Sequence, residues 1–222
     1  MSDGRDNLPR MSRTFAPRHP QLALELPQRG GKRRRGAGRR PKGARAGVSH
    51  HGRPRVSRHH PVHVTLRVRE HVWNLRSRRC FRLIEAALAS SRARGLVRVV
   101  HVSVQGNHVH LIAEADDALA LARGMKGLEV RVARALNRLM SRRGAVFADR
   151  YHAHVLRSRP EVRRAIAYLV GNHASHMARI AARAAIGDVD PFSSASPAVR
   201  AVLSVPVSWL LRNGSSAPGQ RG

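Results

Sequence analysis

Residues 96–114, LVRVVHVSVQGNHVHLIAE, decide the fold. Leu96 to Gln105 reads as a strand, with Leu96, Val100, Val102 and Val104 on one face and Arg98 the exception. Gly106-Asn107 supplies turn chemistry. His108 to Glu114 is a second strand, so the two form a hairpin. Because side chains alternate along a strand, Val109 and Leu111 face one way and His108 and His110 the other. N-terminal to this hairpin, Val62, Val64, Leu66 and Val68 alternate with His63, Thr65, Arg67 and Arg69, a half-buried strand. Ser77 to Arg94 changes period, with Phe81, Ile84 and Leu88 at helical spacing and Gly95 in the place of a helix C′ residue. C-terminal to the hairpin, a long helix opens at Ala115-Asp116-Asp117 and runs to about Met140. Its apolar stripe is Leu121, Met125, Leu128, Val132, Leu136 and Leu139. Val146 to Leu156 is a last strand or extended segment. Ser158-Arg159-Pro160-Glu161 is a capping-box pattern that starts a helix through about Met177. The order matches the ferredoxin-like β-α-β-β-α-β motif with a helix appended. The expected class is therefore α+β. Strands near 62–68, 96–105 and 107–114 share an antiparallel sheet, and the helices near 78–94 and 118–140 lie on one face.

Around this domain the composition shifts. The 222 residues carry 42 Lys and Arg against 13 Asp and Glu, a formal net charge of +29. That balance makes a polyanion the natural partner, nucleic acid before an anionic membrane, and argues against a free-standing enzyme for a small neutral substrate. Only Lys32, Lys42 and Lys126 are lysines, and an arginine bias of this kind also follows from a GC-rich genome. Residues 1–60 hold sixteen Lys or Arg and three Asp or Glu. Their densest part, Gly30 to Arg45, reads GGKRRRGAGRRPKGAR and has too little apolar surface to offset its ordering entropy. It is expected to be a disordered basic arm attached electrostatically to phosphates. Aromatic residues make up 4% of the chain, so the core is built from Val, Leu, Ile and Ala. Cys80 is the only cysteine, which excludes an intrachain disulfide and a multi-cysteine zinc site. No run approaches 18 apolar residues and no signal peptide is visible, so the expected location is the cytoplasm, at the nucleic acid, with no membrane partner.

Two groups of residues could carry chemistry. His108 and His110 project from one strand face, and two such imidazoles can chelate one metal ion, although surface or packing roles are open to them as well. His152 and His154 form a second pair of this spacing. Tyr151 and Tyr168 are the only tyrosines. Tyr168 shares a helix face with Asn172, and His176 continues it. A tyrosine oxygen is a nucleophile once its proton is removed, or else a packed ring with its hydroxyl in water. Arg123, Arg131, Arg134, Arg138, Arg142 and Arg143 offer phosphate contacts or a solvated helix face.

Taken together, QGNHVHL, the long basic helix, RYHAHVL and the helix with AYLVGN resemble the REP-associated tyrosine transposases of the HUH superfamily. This is the group with the insertion-sequence-200-like transposase domain. Asn107 to Leu111 matches the family's NHVHL element. Tyr168, Leu169 and Asn172 fit its Tyr-Ile-x-x-Asn-Pro helix, with His173 in place of the Pro. Asp190-Pro191-Phe192-Ser193-Ser194 is similar to its WPYSS element, with Asp for Trp and Phe for Tyr. The resemblance spans about Pro61 to Ser194. It implies a nuclease domain at 61–180, flanked by the arm at 1–60 and a C-terminal extension at 181–222. It further implies a metal-dependent single-stranded DNA endonuclease and strand transferase acting at hairpin-containing sites. Tyr168 would be the nucleophile, leaving a 5′-phosphotyrosine. His108, His110 and Asn172 would hold Mg²⁺ or Mn²⁺, with His176 the alternative to Asn172. Relatives act as monomers or as homodimers that trade the Tyr helix, and the setting implied is the bacterial cytoplasm at the nucleoid. The other readings are a domesticated relative that holds hairpin DNA or RNA without cutting, and a plain basic RNA-binding protein. The scarcity of aromatics weighs against the last.

Overall fold

The computed structural model describes residues 54–180 and 189–214, and side chains within these up to Gly171 and from Val189 to Asn213. Most of the arm, including Gly30 to Arg45, lies outside the described residues, as do 181–188 and 215–222. Four strands, β1 (Val62–Arg67), β2 (Arg98–Val104), β3 (His108–Glu114) and β4 (His152–Val155), form one antiparallel sheet in the order β2-β3-β1-β4. The helices are α1 (Arg78–Arg94), α2 (Ala118–Leu139), α3 (Arg159–Ile180), α4 (Pro197–Ala201) and α5 (Trp209–Gly214). This is the ferredoxin-like arrangement with α3 appended.

Local chemistry explains where the long helices start and stop. Ser77 caps α1 by accepting from the Cys80 amide, and Gly95 ends it at φ 69, a left-handed conformation that glycine adopts without a Cβ clash. Asp117 caps α2 by accepting from the Ala120 amide at 2.7 Å. Ser158 accepts from the Glu161 amide at 3.4 Å, while the Glu161 carboxylate accepts from the Arg157 amide at 2.7 Å, so α3 starts where the capping box placed it.

The sheet is covered on both faces. On one, Val62, Val64, Leu66, Val109 and Leu111 meet Ile84 and Leu88 of α1 and Leu121, Met125, Leu128, Val132 and Leu136 of α2. Each such fully buried aliphatic side chain contributes about 1.5–3 kcal/mol. Gly124 lets α2 close on this layer, since a Cβ there would sit 2.6 Å from Val97. On the other face, Val100, Ile112 and Leu156 meet Val162, Ala165 and Leu169 of α3, with Leu210 and Leu211 of α5.

Two local expectations are corrected. Leu96 is exposed, and Val97, Val99, Val102 and Val104, not Val100, join the α1–α2 layer. The reason is a β-bulge: the β2–β3 register shifts between Val99 and His101, so Val100 is an extra residue and turns to the α3 side. The last strand is also shorter than 146–156. Phe147 makes only an isolated bridge with Val68, and residues 148–150 bend before pairing resumes at His152.

The segment from Val189 onward dresses the free edge of β2. The Val104 amide donates to Phe192 O at 2.9 Å and the Ser194 amide to Val102 O at 2.8 Å. Buried Asp190 holds the Arg76 guanidinium at 2.8 and 3.1 Å, and Phe192 packs edge-on to Phe81. Asp190 thus supplies an ion pair to the loop before α1. No described helix is long and apolar enough to cross a membrane.

Candidate active site

The face of the sheet under α3 is lined with polar side chains. β1 sends His63, Thr65 and Arg67 there, β3 sends His108 and His110, and β4 sends His152 and His154, because these alternate with the residues of the α1–α2 layer. Register fixes the neighbours: Thr65 lies opposite His110 on one side and His152 on the other, Arg67 opposite His108, and His63 opposite His154.

His110 is buried and its Nδ1 lies 3.2 Å from both Thr65 Oγ1 and His63 Nε2. His108 Nδ1 lies 2.8 Å from Asn107 Oδ1, an acceptor. A proton on Nδ1 of each ring puts the lone pair on Nε2, the usual state of an imidazole that ligates metal. The two rings stand 4.7 Å apart and perpendicular. Burial holds the His63 imidazolium pKa below its ordinary value, and the neighbouring His154 and His152 lower it further.

Tyr168 comes to this cluster from α3. Ala165 and Leu169 anchor the helix on the sheet, and the Tyr168 hydroxyl reaches 3.5 Å from His110 Nε2. That distance is a contact rather than a strong hydrogen bond. The Tyr168 and His110 rings meet edge to face at 5.1 Å, and Tyr168 remains 48% exposed. Tyr151, by contrast, is buried in the α1–α2 layer. The structure thus unites His108, His110 and Tyr168 and leaves Tyr151 across the sheet. The Asn172 backbone stands one turn past Tyr168 in α3, but its side chain, like those of His173 and His176, lies outside the described residues.

Among the described residues no group of three or more His, Cys, Asp or Glu is arranged to hold a metal. The described donors are the two imidazoles. Such a pair suits a cation that shares its coordination with amide and phosphate oxygen, Mn²⁺ better than Mg²⁺.

The six arginines are not gathered here. α2 lies on the opposite face, so Arg123, Arg134 and Arg138 are exposed on the far side of the sheet from Tyr168. Arg131 turns to α1 and donates to Ser91 Oγ at 2.6 Å. Arg142 and Arg143 stand in the loop that follows α2, with the Arg142 guanidinium donating to Arg143 O at 3.3 Å. Nearer cations were missed by sequence reasoning: Arg67, opposite His108, and Arg164, one turn before Tyr168 on α3. Both are exposed. The spacing from Tyr168 could have exposed Arg164. Arg67, His63 and Thr65 become visible only with the strand pairing.

No protein-family model matches the sequence, and no curated protein matches it either. Among solved structures, a REP-associated tyrosine transposase bound to a REP hairpin is similar with TM-score 0.50 and 14% identity, over 66% of this chain and 82% of that one. A protein assigned as a transposase in Deinococcus radiodurans R1 gives TM-score 0.37 and 13% identity over 54% and 87% of the two chains. At such identity the first likeness is one of fold: the chain has a transposase-like fold.

Proposed function

We propose that this protein is a metal-dependent single-stranded DNA endonuclease and strand transferase of the tyrosine transposase kind. One observation carries the reading: the hydroxyl of half-exposed Tyr168 stands 3.5 Å from His110 Nε2, beside His108, within one chain. In this reading the Tyr168 oxygen attacks a backbone phosphorus as the bond to the 3′-oxygen breaks. The products are a 5′-phosphotyrosine and a free 3′-OH. The phosphodiester count is conserved, so a 3′-OH can reverse the step and join strands without ATP. His108, His110 and Asn172 would hold Mg²⁺ or Mn²⁺, which would polarise the scissile phosphoryl group. Arg67 and Arg164 flank the cluster and are placed to steady the strand through its phosphates. Tyr168 and the His pair meet within one chain, and a homodimer that trades the Tyr helix would bring the same groups together across two chains. Hairpin DNA is the proposed substrate: the net charge of +29 calls for a polyanion, and the similar solved protein is bound to a hairpin. The setting is the bacterial cytoplasm at the nucleoid.

The test is incubation with 3′-labelled single-stranded DNA carrying a hairpin, with Mn²⁺, followed by a denaturing gel. A labelled band at protein size that Tyr168→Phe lacks is expected. A protein that shifts the hairpin on a native gel but never forms the band is the non-cleaving binding module instead.

A further inference from the structure

Three polar residues beside His110 are left without a role in the reaction above: Thr65, His63 and, beyond it, His154. Two of them converge on one atom. Thr65 Oγ1 and His63 Nε2 each lie 3.2 Å from Nδ1 of His110. They belong to β1, directly across the ladder from β3: Thr65 is the Cα partner of His110 and His63 the next residue on the same face. The convergence is set by backbone pairing and not by a mobile loop.

An imidazole that ligates through Nε2 must carry its proton on Nδ1, and that N–H needs an acceptor if it is buried. His110 is buried, with 6% of its surface exposed. On its neighbour His108 the same atom meets Asn107 Oδ1 at 2.8 Å. Each ring of the pair thus has acceptor groups at Nδ1, from β1 for His110 and from the β2–β3 turn for His108. Resting on the metal reading above, we infer that Thr65 and His63 are positioning residues. They accept the Nδ1–H of His110, hold its tautomer and ring plane, and so aim Nε2 at the cation and at the Tyr168 oxygen. Asn107 does the same for His108. None of the three touches the reacting atoms.

Second partners of this sort typically change metal affinity 10–100-fold when removed. Thr65→Val keeps the shape of the side chain and deletes the acceptor. Calorimetric titration of the full chain with Mn²⁺ should show affinity at least ~10-fold weaker for Thr65→Val, with Thr65→Ser restored to within about threefold of wild type. Equal affinity for Thr65→Val and wild type would overturn the role. ¹⁵N-histidine NMR of the metal-free wild-type chain reads the tautomer without any variant: His110, assigned by comparison with His110→Gln, should carry its proton on Nδ1. A proton found on Nε2 would overturn the inference even if the metal reading stood. His110→Ala is the control for the reading itself. If that variant still binds Mn²⁺ as wild type does, the metal site is elsewhere, and the positioning role falls with it.

Discussion

Two tyrosines separate on geometry alone. In-line attack requires the hydroxyl oxygen about 3–3.5 Å from phosphorus and opposite the leaving oxygen. Tyr168 stands on α3, half exposed and against His110, whereas Tyr151 is packed in the apolar layer on the other face. Tyr168→Phe should therefore abolish the covalent adduct while changing stability by no more than about 0.5 kcal/mol, as for other exposed substitutions. Tyr151→Phe should cost about 1 kcal/mol in a buried setting and only slow the adduct. An adduct peptide containing Tyr151 in mass spectrometry would reverse the assignment. His108→Ala and His110→Ala should stop cleavage and leave most hairpin affinity, which phosphate contacts supply. Retained cleavage in the double variant with Mn²⁺ would sink the metal role. At this scale the sequence was legible where spacing within one element decides a face. HxH on a strand puts both rings on one side, and the structure agrees. His63 and Thr65 were not legible, because their place beside His110 depends on β1–β3 register, which no local pattern encodes.

Elements matter here through how α3 is seated. Its inner side, Val162, Ala165 and Leu169, packs on Val100, Ile112 and Leu156, and α5 closes over it with Leu210 and Leu211. Glu114 at the end of β3, 1% exposed, fixes α5 in turn by accepting from the Val207 and Ser208 amides at 2.9 and 2.8 Å. Arg159 at the start of α3 donates to Asn213 O at 2.9 Å. The short C-terminal helix therefore braces the element that carries Tyr168. Leu211→Ala should cost about 2–5 kcal/mol and also lower the rate of adduct formation per folded molecule. Gly124→Ala, on the opposite face, should cost about 1–3 kcal/mol through its clash with Val97 and leave that rate unchanged. Thermal melts paired with single-turnover adduct kinetics check both, and equal rate effects from the two variants would refute the brace. The helices were legible from periodicity and caps. β2 was not: Leu96, Val100, Val102 and Val104 share even-numbered positions, yet the bulge inserts Val100 and reverses the parity of everything before it. A strand pattern assumes an unbroken ladder, and the bulge is set by pairing with β3.

On the scale of the whole molecule, the sheet divides the cations into two sides. Arg67 and Arg164 border the His–Tyr cluster, while Arg123, Arg134 and Arg138 are exposed on α2 behind the sheet. A strand held at Tyr168 reaches the second group only by passing around an edge. Each phosphate contact contributes about 0.7 to the salt slope for single strands and about 0.9 for duplex. Replacing Arg67 and Arg164 by Ala should thus lower the slope of log affinity against log salt for a hairpin by about 1.5 and reduce adduct yield at limiting DNA. The Arg123, Arg134 and Arg138 triple replacement removes more charge. It should nevertheless lower the slope by less than about 1 and leave adduct yield at saturating DNA untouched. The arm supplies a third comparison, since Arg33, Arg34 and Arg35 lie in its densest run. Their replacement by Ala in the full chain should lower the slope and the affinity without altering cleavage once DNA saturates. The paired titrations separate charge that positions the strand from charge that merely attracts it. A slope that fell most for the α2 triple would show that hairpin DNA docks behind the sheet, away from Tyr168.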